Sequence, residues 1–354
     1  MDFTFDDTQQ AVANLAATVL RSEPDHSRVE HVLASPAGYD ETAWKAMAQS
    51  GLLALALPER LGGDGCGVVE VGAVLREVGR QTLPLPALAT LALGVLPVLA
   101  LADAAAQDEL LAEVADGRIL TGALRDAPRQ AASAQRDGTD IVVRGTKIGV
   151  PYAEQAHRAL VATDAGVVAV DPHADGVTLV RTPTATGAPE YTVRLDGVRV
   201  PSTALLGPVA PMRQIADVGA AAVADGVLAG ALALTAEHVR TREQFDKPLA
   251  TFQAVAGQVA DIYVTARTIN LVAVSASWRL AAGLDAADDS DIAAYWVAGE
   301  VLPALQVCHH LHGGLGVDIT YPLHRYYSHG KDLARFVGGA AARLDQIGAR
   351  CSSS

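Results

Sequence analysis

The feature that most constrains this chain is a double change of hydrophobic period. Over Ala11 to Leu20, Glu41 to Leu53 and Val69 to Arg80, apolar residues recur at three-to-four spacing, which predicts amphipathic helices. From Ile119 to Gly207 the pattern becomes short β-branched runs separated by Asp-Gly and Gly-Thr turn signals. The runs are Ile141-Val142-Val143, Leu160-Val161-Ala162, Val167-Val168-Ala169-Val170 and Val177-Thr178-Leu179-Val180. They predict a compact antiparallel β domain. After Pro208 the helical period returns over Met212 to Arg242, Gln253 to Gly283, Ser290 to His312 and Leu333 to Ala349, long enough to pack as a bundle. The expected organisation is α+β: a helical domain over 1-118, a middle β domain over 119-208 and a helical bundle over 209-354. A doubly wound parallel sheet needs βαβ alternation, and the order here is wrong for it.

Composition narrows the class further. At 354 residues the chain buries enough core to need no disulfide staples. Its three cysteines, Cys66, Cys308 and Cys351, are scattered and form no CxxC, so a reducing cytoplasm is the expected compartment. The segment Met1 to Asp7 is acidic and lacks the basic and apolar regions of a signal peptide. Forty Asp+Glu against 27 Lys+Arg give a net charge of −13 without any basic run, which excludes a general nucleic-acid binder. Leu83 to Ala102 is uncharged over the length of a membrane span, but Pro84, Pro86, Gly94 and Pro97 interrupt it. A buried helix after a Pro-rich turn is expected there, with no membrane span.

Generic catalytic motifs are absent: there is no GxxxxGK[ST], GxSxG, HExxH or GxGxxG after a strand. Cys308-His309-His310-Leu311-His312 lacks a carboxylate at ligand spacing, so no metal site is expected. Two segments are far more specific. One is Arg242-Glu243-Gln244-Phe245-Asp246-Lys247-Pro248-Leu249 with Phe252-Gln253, and the other is His310-Leu311-His312-Gly313-Gly314-Leu315-Gly316. Together they resemble the R-x-Q-F-G-x-P-[IL]-x-x-F-Q and Q-x-x-G-G-x-G patterns of the acyl-CoA dehydrogenase family. The resemblance runs the length of the chain, through Trp44, Gly51-Leu52-Leu53, Pro58-Glu59, Gly62-Gly63, Val198-Arg199-Val200-Pro201 and Leu205-Leu206-Gly207.

The resemblance implies N-terminal helices, a middle β domain and a C-terminal four-helix bundle. It also implies FAD-dependent α,β-desaturation of an acyl-CoA, in which a carboxylate takes the α-proton and the flavin the β-hydride. In such oligomers one subunit's β domain holds the flavin and a neighbour's C-terminal residues complete the site. By resemblance, Arg242 would face a neighbour's pyrophosphate, Phe245, Gln253 and His310 would line the cofactor, and Gly313 and Gly314 would admit its adenosine end.

The departures are as informative. The family's T-E-P-x-x-G-S-D loop is replaced by Leu124-Arg125-Asp126-Ala127-Pro128-Arg129-Gln130-Ala131-Ala132-Ser133. Its W-[IV]-T-N-G strand is replaced by Gly145-Thr146-Lys147-Ile148-Gly149-Val150-Pro151-Tyr152-Ala153. Val337 occupies the position of the catalytic Glu in the family's Y-E-G-T turn, and a Val accepts no proton. The alternative base position on the preceding helix falls near Ala216, with Asp217 adjacent but pointing about 100° away around the helix. Loss on the side that holds a flavin, with retention on the side that completes a neighbour's, resembles the non-catalytic subunit of actinobacterial α2β2 steroid-degrading enzymes. The implied partner is a longer subunit carrying the Glu, with electron-transfer flavoprotein as acceptor. The competing expectation is a self-sufficient homo-oligomer whose base is Asp217.

Overall fold

A computed structural model describes residues 6–21 and 26–352; residues 1–5 of the acidic N-terminal segment lie outside them. The first helices are α1 (Asp7–Val19), α2 (His26–Ala34), α3 (Glu41–Gln49) and α4 (Val68–Gln81). Their starts follow local chemistry. Asp6 accepts from the Gln9 N–H at 2.8 Å while Gln9 Oε1 accepts from the Asp6 N–H at 3.2 Å, a closed capping box on α1. Asp40 caps α3 through the Ala43 N–H at 3.0 Å. The uncharged stretch after Pro84 and Pro86 is a buried π-helical segment, Leu88–Val95, running into α5 (Leu96–Leu101) and then α6 (Ala104–Leu110).

Nine strands follow: β1 (Leu120–Ala123), β2 (Arg125–Asp126), β3 (Ser133–Asp137), β4 (Asp140–Pro151), β5 (Arg158–Thr163), β6 (Gly166–Val170), β7 (Val177–Arg181), β8 (Glu190–Pro201) and β9 (Leu205–Gly207). They form two sheets, ordered β1-β5-β6-β9 and β2-β4-β8-β7, with β3 also paired to β4. Inward residues of both sheets, among them Val143, Val161, Val168, Val193 and Val198, meet in one apolar cluster. The expected antiparallel domain needs one correction: β1 runs parallel to β5. A parallel pair needs a long crossover, here supplied by the excursion through β2, β3 and β4 to the other sheet.

The C-terminal helices are α7 (Val209–Thr241), α8 (Gln253–Ala281), α9 (Ala287–Gly299), α10 (Val301–His312), α11 (Leu323–Phe336) and α12 (Ala340–Cys351). α8 packs on α9 and α10, α10 on α11, and α12 on α9. Two helices expected to be continuous are broken. Ser290 to His312 divides at Glu300 because Pro303 has no N–H and its ring opposes the carbonyl of Gly299. Leu333 to Ala349 divides at Gly338-Gly339, whose φ of 95° and 87° no helix accepts.

Compactness groups the elements by contact rather than by chain order. One unit holds the described residues up to His31, Gly72–Leu83 and everything described from Asp217 onward; the other holds Val32–Val71 and Pro84–Ala216. In the first unit α4 and α7 cross backbone to backbone. A Cβ on Gly226 would lie 1.8 Å from the Arg76 carbonyl oxygen, so only glycine fits. α7 and α8 are long and apolar enough to span a membrane by length and composition. Most of α7's apolar stretch is buried in the protein, whereas less than a third of α8's is.

Candidate functional site

The residues of the first specific motif gather where α7 ends. The Arg242 N–H donates to the His238 carbonyl at 2.8 Å and its own carbonyl accepts from Leu249 at 2.8 Å. Its backbone is thereby fixed while its side chain lies exposed. Glu243–Gln244 then pairs antiparallel with Lys247–Pro248 in a two-residue hairpin. The turn residues Phe245 and Asp246 both have positive φ, 53° and 60°, as a primed hairpin turn demands. Phe245 stands at the tip, 86% exposed. Its ring meets Phe252 edge-on at 6.3 Å, Lys247 Nζ lies 4.3 Å over that same ring, and Gln253 begins α8 exposed.

The second motif closes α10. His310 points outward, and Gly313 and Gly314 are exposed in the turn beyond it. A Cβ built on either glycine meets no atom within 4 Å. Gly313, at φ 57° and ψ −132°, is held to glycine by its backbone. Gly314 has no such internal reason. The two motifs are joined by a contact the sequence reading missed: the rings of His238 and His312 stack at 4.3 Å with 18° between their planes.

At the opposite end of α7 the base candidates are sealed. Arg343 Nη2 and Nη1 donate to the two carboxylate oxygens of Asp217 at 2.6 and 2.8 Å. Arg343 Nη1 also reaches Asp291 at 3.1 Å, and Arg350 pairs with the same Asp291. Asp217, Asp291 and Arg343 are each less than a tenth exposed. A buried carboxylate held on both oxygens by a guanidinium is not presented to a substrate proton. Val337 is itself buried, and its carbonyl accepts from Arg343 Nε at 2.6 Å. One arginine therefore spans both places where a base was sought.

In the β unit, the loop that replaces the flavin-covering motif is zipped onto β4. The Ala127 N–H donates to the Thr146 carbonyl at 2.8 Å, and the Thr146 N–H donates to the Gln130 carbonyl at 2.9 Å. The Thr146 hydroxyl donates to Gln130 Oε1 at 2.6 Å. Lys147, 1% exposed, pairs with Asp126 at 2.6 Å, and the Ala132 N–H donates to the same carboxylate at 2.9 Å. Burial pushes the Lys147 ammonium below its usual range, against the opposing pull of Asp126. Donors that would serve a bound ring are consumed by the loop. The residues present do not fit a flavin of this chain's own. The exposed guanidinium, aromatic tip and glycine turn of the helical unit do suit an anionic, planar cofactor approaching from outside.

Against known families, the chain's residues 6–118 match the acyl-CoA dehydrogenase N-terminal domain and residues 216–351 match the acyl-CoA dehydrogenase C-terminal domain. The chain belongs to the acyl-CoA dehydrogenase family. Membership places it among FAD-dependent oxidoreductases of acyl-CoA thioesters. A curated relative, acyl-CoA dehydrogenase FadE28 of Mycobacterium tuberculosis, is 50% identical over 99% of both chains. Among solved structures, the Tcur3481-Tcur3483 steroid ACAD superposes with a TM-score of 0.92 at 34% identity, over 98% of this chain and 99% of that one. The ChsE4-ChsE5 complex from Mycobacterium tuberculosis superposes at 0.94 and 30% identity, over 100% of both chains. The acyl-CoA dehydrogenase fold read from the sequence is the fold observed, and the likeness to the Tcur3481-Tcur3483 steroid ACAD and to the ChsE4-ChsE5 complex extends along essentially the whole chain. Among the described residues no three His, Cys, Asp or Glu side chains converge as metal ligands.

Proposed function

We propose that this chain is the non-catalytic subunit of a heteromeric acyl-CoA dehydrogenase that desaturates a steroid-derived acyl-CoA in the cytoplasm. The observation that carries the reading is the asymmetry between its two halves. Arg242, Phe245, Gln253, His310, Gly313 and Gly314 all stand exposed. The base positions and the flavin-covering loop are filled by this chain's own ion pairs and hydrogen bonds. Arg242 would neutralise the pyrophosphate, Phe245, Gln253 and His310 would line the cofactor, and the glycine turn would admit its adenosine. FAD, when bound, supplies the hydride acceptor. The catalytic Glu, the thioester pocket and the contacts to the flavin ring come from a longer partner subunit in an α2β2 assembly, with electron-transfer flavoprotein as acceptor.

The exposed face of α8 supports an assembly. Val264, Leu271 and Trp278 recur every seven residues at 61%, 41% and 38% exposure, beside Tyr263 at 55%. Such a stripe is what a helix presents to another protein surface. The likeness to the Tcur3481-Tcur3483 steroid ACAD and to the ChsE4-ChsE5 complex supports a heteromer over a homo-oligomer.

The test is purification of the chain alone and with a co-expressed longer family member carrying the Glu. Expected is a colourless, inactive chain alone, and a yellow complex with about one FAD per pair of chains. Yellow, active protein from this chain alone overturns the proposal. Within the complex, Arg242→Ala lowers flavin content; an unchanged content refutes the role given to Arg242.

A further inference from the structure

The surface just described is made of two segments far apart in sequence, and its geometry depends on what holds them together. The stacked rings of His238 and His312 do this. His238 lies in the last turns of α7, and its carbonyl accepts the Arg242 N–H at 2.8 Å. His312 is the last residue of α10, directly before Gly313. We propose that His238 and His312 are positioning residues whose stack sets Arg242 against the Gly313-Gly314 turn. The inference rests on the cofactor-completing role proposed above.

The chemistry of His312 is fixed by its partners. Nδ1 lies 2.8 Å from the Cys308 carbonyl, an acceptor only, so Nδ1 carries the proton. Nε2 then presents a lone pair to the Tyr321 hydroxyl at 3.1 Å. When neutral the ring is of one tautomer, and it is gripped on both nitrogens. The groups set around the stack are Arg242 on the α7 side, Cys308 and His309 on α10, Tyr321 from the following turn, and His324 beyond His309. None of these is a carboxylate that would welcome an imidazolium. Burial, followed by the nearby Arg242, depresses the proton affinity of His238; burial, followed by His238 and His309 after the opposing bond to the Cys308 carbonyl, depresses that of His312.

The sign follows. Both histidines bind protons more readily in the unfolded chain, so the stack's contribution is complete above the ordinary histidine value of about 6.5. It is lost as pH falls from there through the depressed folded values. Acid therefore loosens the clamp, and flavin release from the complex accelerates.

His238 partly separates stacking from titration, because a phenylalanine retains the stacked ring and removes one of the two protonation events. In the co-expressed complex, His238→Ala is expected to release FAD about tenfold faster at pH 7.5, the equivalent of about 1.4 kcal/mol. His238→Phe is expected to match the unmodified complex at pH 7.5 and, because only His312 then titrates, to gain release rate less steeply than the unmodified complex as the pH falls below about 6.5. Release is followed by the recovery of free-flavin fluorescence, independently of turnover, with Arg242→Ala measured alongside. Faster release from Arg242→Ala but unchanged release from His238→Ala overturns the clamp and leaves the proposed function standing. Unchanged release from both overturns the reading on which the clamp rests. If His238→Ala fails to fold, the phenylalanine variant decides: acid release identical to the unmodified complex overturns the proposal.

Discussion

The two ends of α7 differ in what their charges face. Near its start Asp217 is buried and held on both oxygens by Arg343. About 38 Å further along, just past the helix end, Arg242 leaves its backbone bonded and its side chain exposed. One helix thus carries a charge that the fold has absorbed and a charge that the fold has left available. The difference separates residues kept for the chain's own stability from residues that its stability does not explain. A motif retained at the sealed end would be uninformative, because the ion-pair cluster accounts for it. The motif retained at the open end has no comparable internal reason.

The comparison breaks most visibly at Arg343. Arg343→Met leaves Asp217 buried without its guanidinium, and removing one partner of such a pair costs about 3–5 kcal/mol. Replacing Asp217 with leucine in the same chain recovers most of that loss, since an apolar substitute leaves no orphaned charge. Denaturant midpoints of the isolated chain measure both. A loss below about 1 kcal/mol in the single variant would mean that the end is not sealed by these charges.

The glycine turn gives a smaller and more discriminating effect. Gly313→Ala forces an L-residue into a glycine-only conformation and costs the isolated chain about 1–3 kcal/mol. Gly314→Ala meets no atom within 4 Å, so the isolated chain should change by less than about 0.5 kcal/mol. In the complex, the same Gly314→Ala lowers flavin content if the turn faces a cofactor. An equal effect on stability and on flavin would return Gly314 to the fold and blunt the contrast between the two ends.

The period changes made the layout legible. Ile141 and Val143 are buried in a strand where their β-branched run predicted one, and the Pro-interrupted stretch after Leu83 is buried helix. The parallel pairing of β1 with β5 was not legible, because period two says nothing of strand direction. The helix break at Glu300 had a signal in Pro303 and the break at Gly338-Gly339 had its glycines, but the apolar pattern runs across both. At the site, the motifs gave Arg242 and Gly313 directly. Arg343, 126 residues from its partner Asp217, gave no sign, since an ion pair between distant helices leaves no spacing to read. His238 and His312 were hidden for the same reason, although His312 sat inside a motif already singled out.

The smallest expected effect lies at the hairpin tip. The family pattern has glycine where this chain has Asp246, and Asp246 holds φ at 60° beside Phe245 at 53°. A left-handed conformation costs a residue with a Cβ about 1 kcal/mol, somewhat less for aspartate. Glycine relieves that strain but enters from a freer unfolded state, so the two terms partly offset. Asp246→Gly should therefore raise the stability of the isolated chain by no more than about 0.5 kcal/mol. Because the turn's shape is unchanged, Phe245 keeps its exposed place and flavin content in the complex should not move. A fall in flavin content with stability preserved would assign the Asp246 carboxylate a role at the open end of α7. That outcome would sharpen the contrast, since at the sealed end Asp217 and Asp291 both pair with arginines of their own chain.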